Sequence, residues 1–135
     1  MRRLRNIVAA VAASLLAVSC SDWKEGSWVY ALKFEYLIDD KEPDPGLMDY
    51  IRGKDPYFST THSYTGKFME VRRAAIEEFM VKGKALGDKE ISSMLEKNEI
   101  FEMSLHQLES PADTTLSDRI AFMVWYPSDL ADTTE

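Results

Sequence analysis

Along residues 27–38, SWVYALKFEYLI, large apolar side chains fall on every second position. Trp28, Tyr30, Leu32, Phe34, Tyr36 and Ile38 lie on one side of an extended chain, with Lys33 and Glu35 on the other. A period of two in residue types that suit a pleated surface predicts a half-buried strand. DDKEPDPG at 39–46 stops it, because two prolines, a glycine and four carboxylates forbid continuation. The pattern is weak over 47–65: LMDYIRG suits one helical turn, and YFSTTHSY suits a short edge strand or a loop. From Gly66 to Leu86 the period changes to three and four, and Phe68, Val71, Ala75, Ile76, Phe79 and Met80 make one apolar stripe of a long helix. Thr65 is its expected N-cap, and Gly83 and Gly87 are its expected terminators. A shorter helix is predicted from Asp88, with Ile91, Met94 and Leu95 turned inward.

Two further strands are predicted. EIFEMSLHQL puts Phe101, Met103 and Leu105 on one face, and RIAFMVWY, apolar on both faces, reads as the more central strand. The ten residues between them, ESPADTTLSD, read as a loop, since they exceed a tight hairpin turn. The order strand, helix, helix, strand, strand gives an α+β fold: a small antiparallel or mixed sheet of three to four strands, with one long and one short helix packed on one face. Residues 27–127 form one domain, and 128–135 form a polar tail.

The chain before this domain has a different character. Arg2, Arg3 and Arg5 precede twelve uncharged residues, Ile7 to Val18, too few to cross a bilayer but the right size for the apolar part of an export signal. The run closes on LAVSC, which carries Cys20, the sole cysteine. This segment resembles a bacterial lipoprotein signal, in which small residues precede a cysteine that becomes the acylated N-terminus. The serine before Cys20, and Asp22 and Glu25 after it, are similar to the lipoproteins of Bacteroidota. The resemblance implies a leader over 1–19, a lipidated tether over 20–26 and an outer-membrane address facing periplasm or cell surface. Two or more acyl chains are what stable anchoring requires.

Removal of residues 1–19 takes three arginines with it. Thirteen basic residues then face twenty-three acidic ones, a net charge of −10. That balance argues against nucleic acid as a partner, which is held by lysine and arginine clusters. The remaining basic residues, such as Lys67, Arg72 and Arg73, alternate with Glu70, Glu77 and Glu78 as on a solvated helix face.

Chemistry is thinly marked. His62 and His106 have no local metal-ligand spacing, and no nucleophile elbow, phosphate loop or cofactor motif is legible. Asp40, Glu42 and Asp44 alternate as in a calcium loop, but Gly46 comes one place late and Ile51 stands where a glutamate belongs. Trp28, Trp125 and Tyr126 are candidate contacts for a glycan or protein ligand. ADTT occurs twice, and each copy resembles the short Bacteroidota O-glycosylation sequon, which implies Thr114 and Thr133 as acceptors. The combined expectation is a non-enzymatic envelope lipoprotein, an accessory module for an envelope protein or a glycan. An inhibitor or immunity-type protein steered by its acidity toward a basic toxin or hydrolase is the alternative. A hydrolase working through paired carboxylates ranks third.

Overall fold

The computed structural model describes residues 8–10, 24–38, 40–108 and 116–128. Its elements in chain order are β1 (Val8–Ala10), β2 (Glu25–Tyr36), α1 (Pro45–Lys54), a 3-10 turn (Pro56–Ser59), β3 (His62–Lys67), α2 (Phe68–Lys84), α3 (Asp88–Ser93), β4 (Phe101–Leu108) and β5 (Leu116–Trp125). The fold is α+β. The strands form one antiparallel sheet in the order β1-β5-β4-β2-β3.

The period-two stretch behaves as its pattern demands as far as Tyr36, where the strand ends; Ile38, expected on the same face, lies beyond it and is exposed. Tyr36 pairs with Phe101, Phe34 with Met103 and Leu32 with Leu105, and beyond them Met103 pairs with Met123 and Phe101 with Trp125. These residues form the sheet face that the helices cover. The strand begins at Glu25, so Glu25 and Gly26, expected in the tether, are paired with Lys67 and Gly66.

The segment 47–65, weak in pattern, is fully organised. Asp44 caps α1 by accepting from the Gly46 N–H at 3.2 Å, and Pro45 occupies the first turn, where a missing N–H costs nothing. The acidic turn is therefore a helix start. Leu47, Met48 and Ile51 are buried on the core side of α1. Asp55 repeats the device for the 3-10 turn, accepting from the Tyr57 N–H at 2.9 Å ahead of Pro56. β3 then forms as an edge strand against β2.

α2 starts at Phe68, two residues later than the periodicity suggests. Thr65 is no cap: it lies in β3, its hydroxyl 3.0 Å from that of Ser27. The buried ridge of α2 is Val71, Ala75, Phe79 and Gly83, spaced by four. Gly83 does not end the helix. It marks a close approach, because a Cβ there would stand 2.2 Å from Met123 Sδ and 3.1 Å from Met103 Cε. Gly87 does break the chain, at φ 88°, a left-handed conformation that glycine adopts without penalty, and so separates α2 from α3.

One reading of strand position is reversed. β5, expected in the middle because it is apolar on both faces, is outermost of the four long strands, and β4 and β2 are central. Among the described residues its outer edge pairs only with the three residues of β1, in the register Val8↔Met123, Ala9↔Phe122, Ala10↔Ala121. No helix among the described residues is long and apolar enough to cross a membrane.

Candidate functional site

The described helices lie on the Tyr30, Phe101, Trp125 side of the sheet, so β4 turns Glu102, Ser104 and His106 toward the other side. Polar residues on a face that no described helix covers are normally exposed. Here Glu102 and Ser104 are each 1% exposed and His106 8%. His106 is thus a buried histidine, although it alternates with Phe101, Met103 and Leu105 on the polar side of its strand.

Hydrogen bonds link the stripe. His106 Nδ1 donates to the Ser117 carbonyl at 2.9 Å, which leaves Nε2, 2.8 Å from Ser104 Oγ, to accept the serine hydroxyl. Serine, imidazole and a fixed orienting oxygen are the parts of a nucleophile-base pair. The setting withholds the rest, because Ser104 is buried and its strand is paired on both sides with β2 and β5, which commits its backbone N–H groups to the ladder. As arranged, the pair satisfies buried polar atoms. Glu102 pairs with Arg119 and sits opposite Glu35 in the β2–β4 ladder. Burial pushes the Glu102 carboxyl above its ordinary range, Arg119 pulls it back in part, and a hydrogen bond with Glu35 raises it further. The Arg119 guanidinium also lies 4.1 Å from the ring centroid of Phe122 on the same face.

At the end of this stripe is a cleft of about 500 Å³ lined by Arg72, Gln107, Leu116, Ser117, Asp118, Arg119 and Ile120. α2 supplies Arg72, and a register shift in β5 next to His106 brings Arg119 opposite that histidine. Arg72 Nη1 donates to Gln107 Oε1 at 3.3 Å, its guanidinium stacks 5.4 Å from the Phe68 centroid, and its Nε is buried with no partner among the described residues. Burial lowers its pKa. Two guanidinium groups beside one carboxylate suit an acidic group on a ligand. A second groove, about 300 Å³, is lined by Leu32, Phe34, Arg52, Phe58 and the hydroxyls of Ser59, Thr60 and Thr61, and Arg52 stacks 5.9 Å from Phe34.

Beneath α2 lies a third polar group, of tyrosines. Tyr64 donates to Glu78, while the hydroxyls of Tyr30 and Tyr57 are buried without a partner among the described residues. Burial raises the Tyr30 hydroxyl to about 12 and those of Tyr57 and Tyr64 above the ordinary tyrosine range. All three stay protonated donors at neutral pH.

The residues singled out from sequence scatter. Trp125 is 0% exposed, a core side chain whose Nε1 donates to Asp88 Oδ1 at 2.9 Å, so it offers no ligand surface. Trp28 is half-buried against Phe68, with ring centroids 5.4 Å apart, and Tyr126 is half-buried at the end of β5. His62 donates to the Tyr57 carbonyl at 2.8 Å and stacks on the Tyr57 ring. Cys20, Thr114 and Thr133 lie outside the described residues. Among the described residues no group of three or more His, Cys, Asp or Glu is arranged to hold a metal ion. Reading the chain missed the Glu102, Ser104, His106 stripe and the Arg72 cleft. Strict alternation of charged or hydroxylated residues with Phe101, Met103 and Leu105 was the available signal. Comparison with protein-family models, curated proteins and solved structures finds no match.

Proposed function

We propose that the chain is a lipid-anchored accessory domain of the bacterial cell envelope, held at the membrane through Cys20 and acting by binding. The observation that carries this is the uncharged run Ile7 to Val18 closing on the only cysteine, with the first strand of the domain starting five positions later at Glu25. Five residues reach no farther than about 18 Å even when fully extended. The domain is therefore held close to the lipid surface, with the start of β2, the end of β3 and the start of α2 as its near pole, since Glu25 pairs with Lys67 and the Phe68 N–H bonds the Lys24 carbonyl at 2.9 Å. The Arg72 cleft, one helical turn from that pole, supports recognition of an acidic group on a partner protein or glycan.

The test is metabolic labelling with a traceable palmitate in a host that processes lipoproteins, read with intact mass. A labelled chain beginning at Cys20, and an unlabelled Cys20→Ala control of leader-retaining mass, are the expected results. An unlabelled parent chain with its leader in place would overturn the reading. The same spectra report on glycans at Thr114 and Thr133.

A further inference from the structure

β5 carries a contradiction between its composition and its place. Ile120, Ala121, Phe122, Met123, Val124 and Trp125 form an uninterrupted apolar run, the pattern of a strand with neighbours on both sides, yet among the described residues its outer side pairs with no more than the three residues of β1. Edge strands are ordinarily guarded by lysine, proline or inward charge along the exposed ladder, and this run carries none of them: Arg119 precedes it and Pro127 follows. The unprocessed chain fills the gap with its own leader, as Val8–Ala10 add antiparallel at Ala121–Met123. The lipoprotein reading removes residues 1–19 and so uncovers that edge.

We propose that in the processed protein the outer edge of β5 accepts an extended, uncharged strand of another envelope protein, which adds antiparallel at Ala121–Met123 in the place vacated by Val8–Ala10. This rests on the anchor reading for its timing and on the β1–β5 register for its chemistry. The seated segment, Val8–Ala10, defines the partner: a strand of small and β-branched residues without charge. Main-chain hydrogen bonds supply the contact. A second copy is the disfavoured occupant, because it would bring two domains of net charge −10 edge to edge. Leader cleavage then doubles as activation: export exposes the binding edge only where the partner is present.

Processed protein and leader-retaining Cys20→Ala chain, in the same micelles, are compared by hydrogen exchange over 119–126. The probe is a peptide of residues 6–13, NIVAAVAA, flanked by lysines; its control carries proline in place of Ala9, which partitions into micelles alike but cannot complete the ladder. Expected are faster exchange in the processed protein, protection restored by the peptide, and binding of the proline control at least about tenfold weaker. A further chain, Ala9→Pro with Cys20→Ala, opens the edge with the leader still attached, so the edge is tested whether or not processing occurs. Equal binding of both peptides, failure of the Ala9→Pro chain to bind, or a β5-to-β5 dimer of the processed protein would each overturn the proposal, while an unprocessed parent chain would overturn only the anchor reading.

Discussion

Replacing Gly83 by alanine sets two known effects against each other. In the interior of a helix, alanine is favoured over glycine by about 1 kcal/mol. At Gly83, however, the added Cβ would lie 2.2 Å from Met123 Sδ, where roughly 3.5–4 Å is the ordinary contact, and 3.1 Å from Met103 Cε. Met103 and Met123 are themselves fully buried, so the sulfur has no solvent to move into. Inserting a methyl into such a site costs about 1–3 kcal/mol, which outweighs the propensity gain and leaves a net loss of about 1 kcal/mol. For a domain of this size that lowers Tm by about 4 °C. Gly53 is the internal control: it is also helical, in α1, but a Cβ there meets nothing within 4 Å. Gly53→Ala should stabilise by about 0.5–1 kcal/mol. Urea titrations followed by tryptophan fluorescence measure both. The clash also requires coupling, so Met123→Ala, costing about 2–5 kcal/mol alone, should cost less in the Gly83→Ala background. If Gly83→Ala raised stability as much as Gly53→Ala, the close approach of α2 to the sheet would be wrong.

Other expectations are as direct. Asp88→Ala removes the acceptor of the buried Trp125 Nε1 and should cost about 1–3 kcal/mol, with a shift in tryptophan emission, by urea titration. Because the folded-state pKa of Glu102 is raised, its contribution is fully present below the unfolded value of 4.5 and is lost as pH rises through the folded value. Glu102→Gln should therefore stabilise relative to the parent at pH 8, with the difference shrinking toward pH 4; melts across that range would show the opposite slope if the Arg119 pair dominated. Ser104→Ala leaves His106 Nε2 without its donor and should cost about 1–2 kcal/mol while leaving the Arg72 cleft intact, as read by thermal melts beside ligand titration.

β2, α2 and β4 were legible because each has a period that only one backbone geometry can bury: two for β2 and β4, four for the Val71, Ala75, Phe79 ridge of α2. The short apolar run with a basic start and the cysteine that follows it are legible for a similar reason, since composition and order alone define them. Segment 47–65 was harder, because its order comes from two carboxylate caps, Asp44 and Asp55, each followed by a proline, and from packing of α1 that no local period announces. Trp125 shows the limit for single residues: an aromatic at a strand end reads equally as contact or core, and only the arrival of α3 with Asp88 decides for the core.

What the chain determined by itself was thus the set of elements and which face of each is apolar, because those depend on neighbours a few residues away. What only the tertiary structure decided was adjacency: that β4 lies in the middle with Glu102, Ser104 and His106 buried on the face away from the described helices, that Arg72 meets the β4–β5 end, and that the most apolar strand lies between β4 and the three residues of β1. Strand order brings together residues tens of positions apart, and no local free energy distinguishes one pairing from another until the whole sheet and its helices close on a single core.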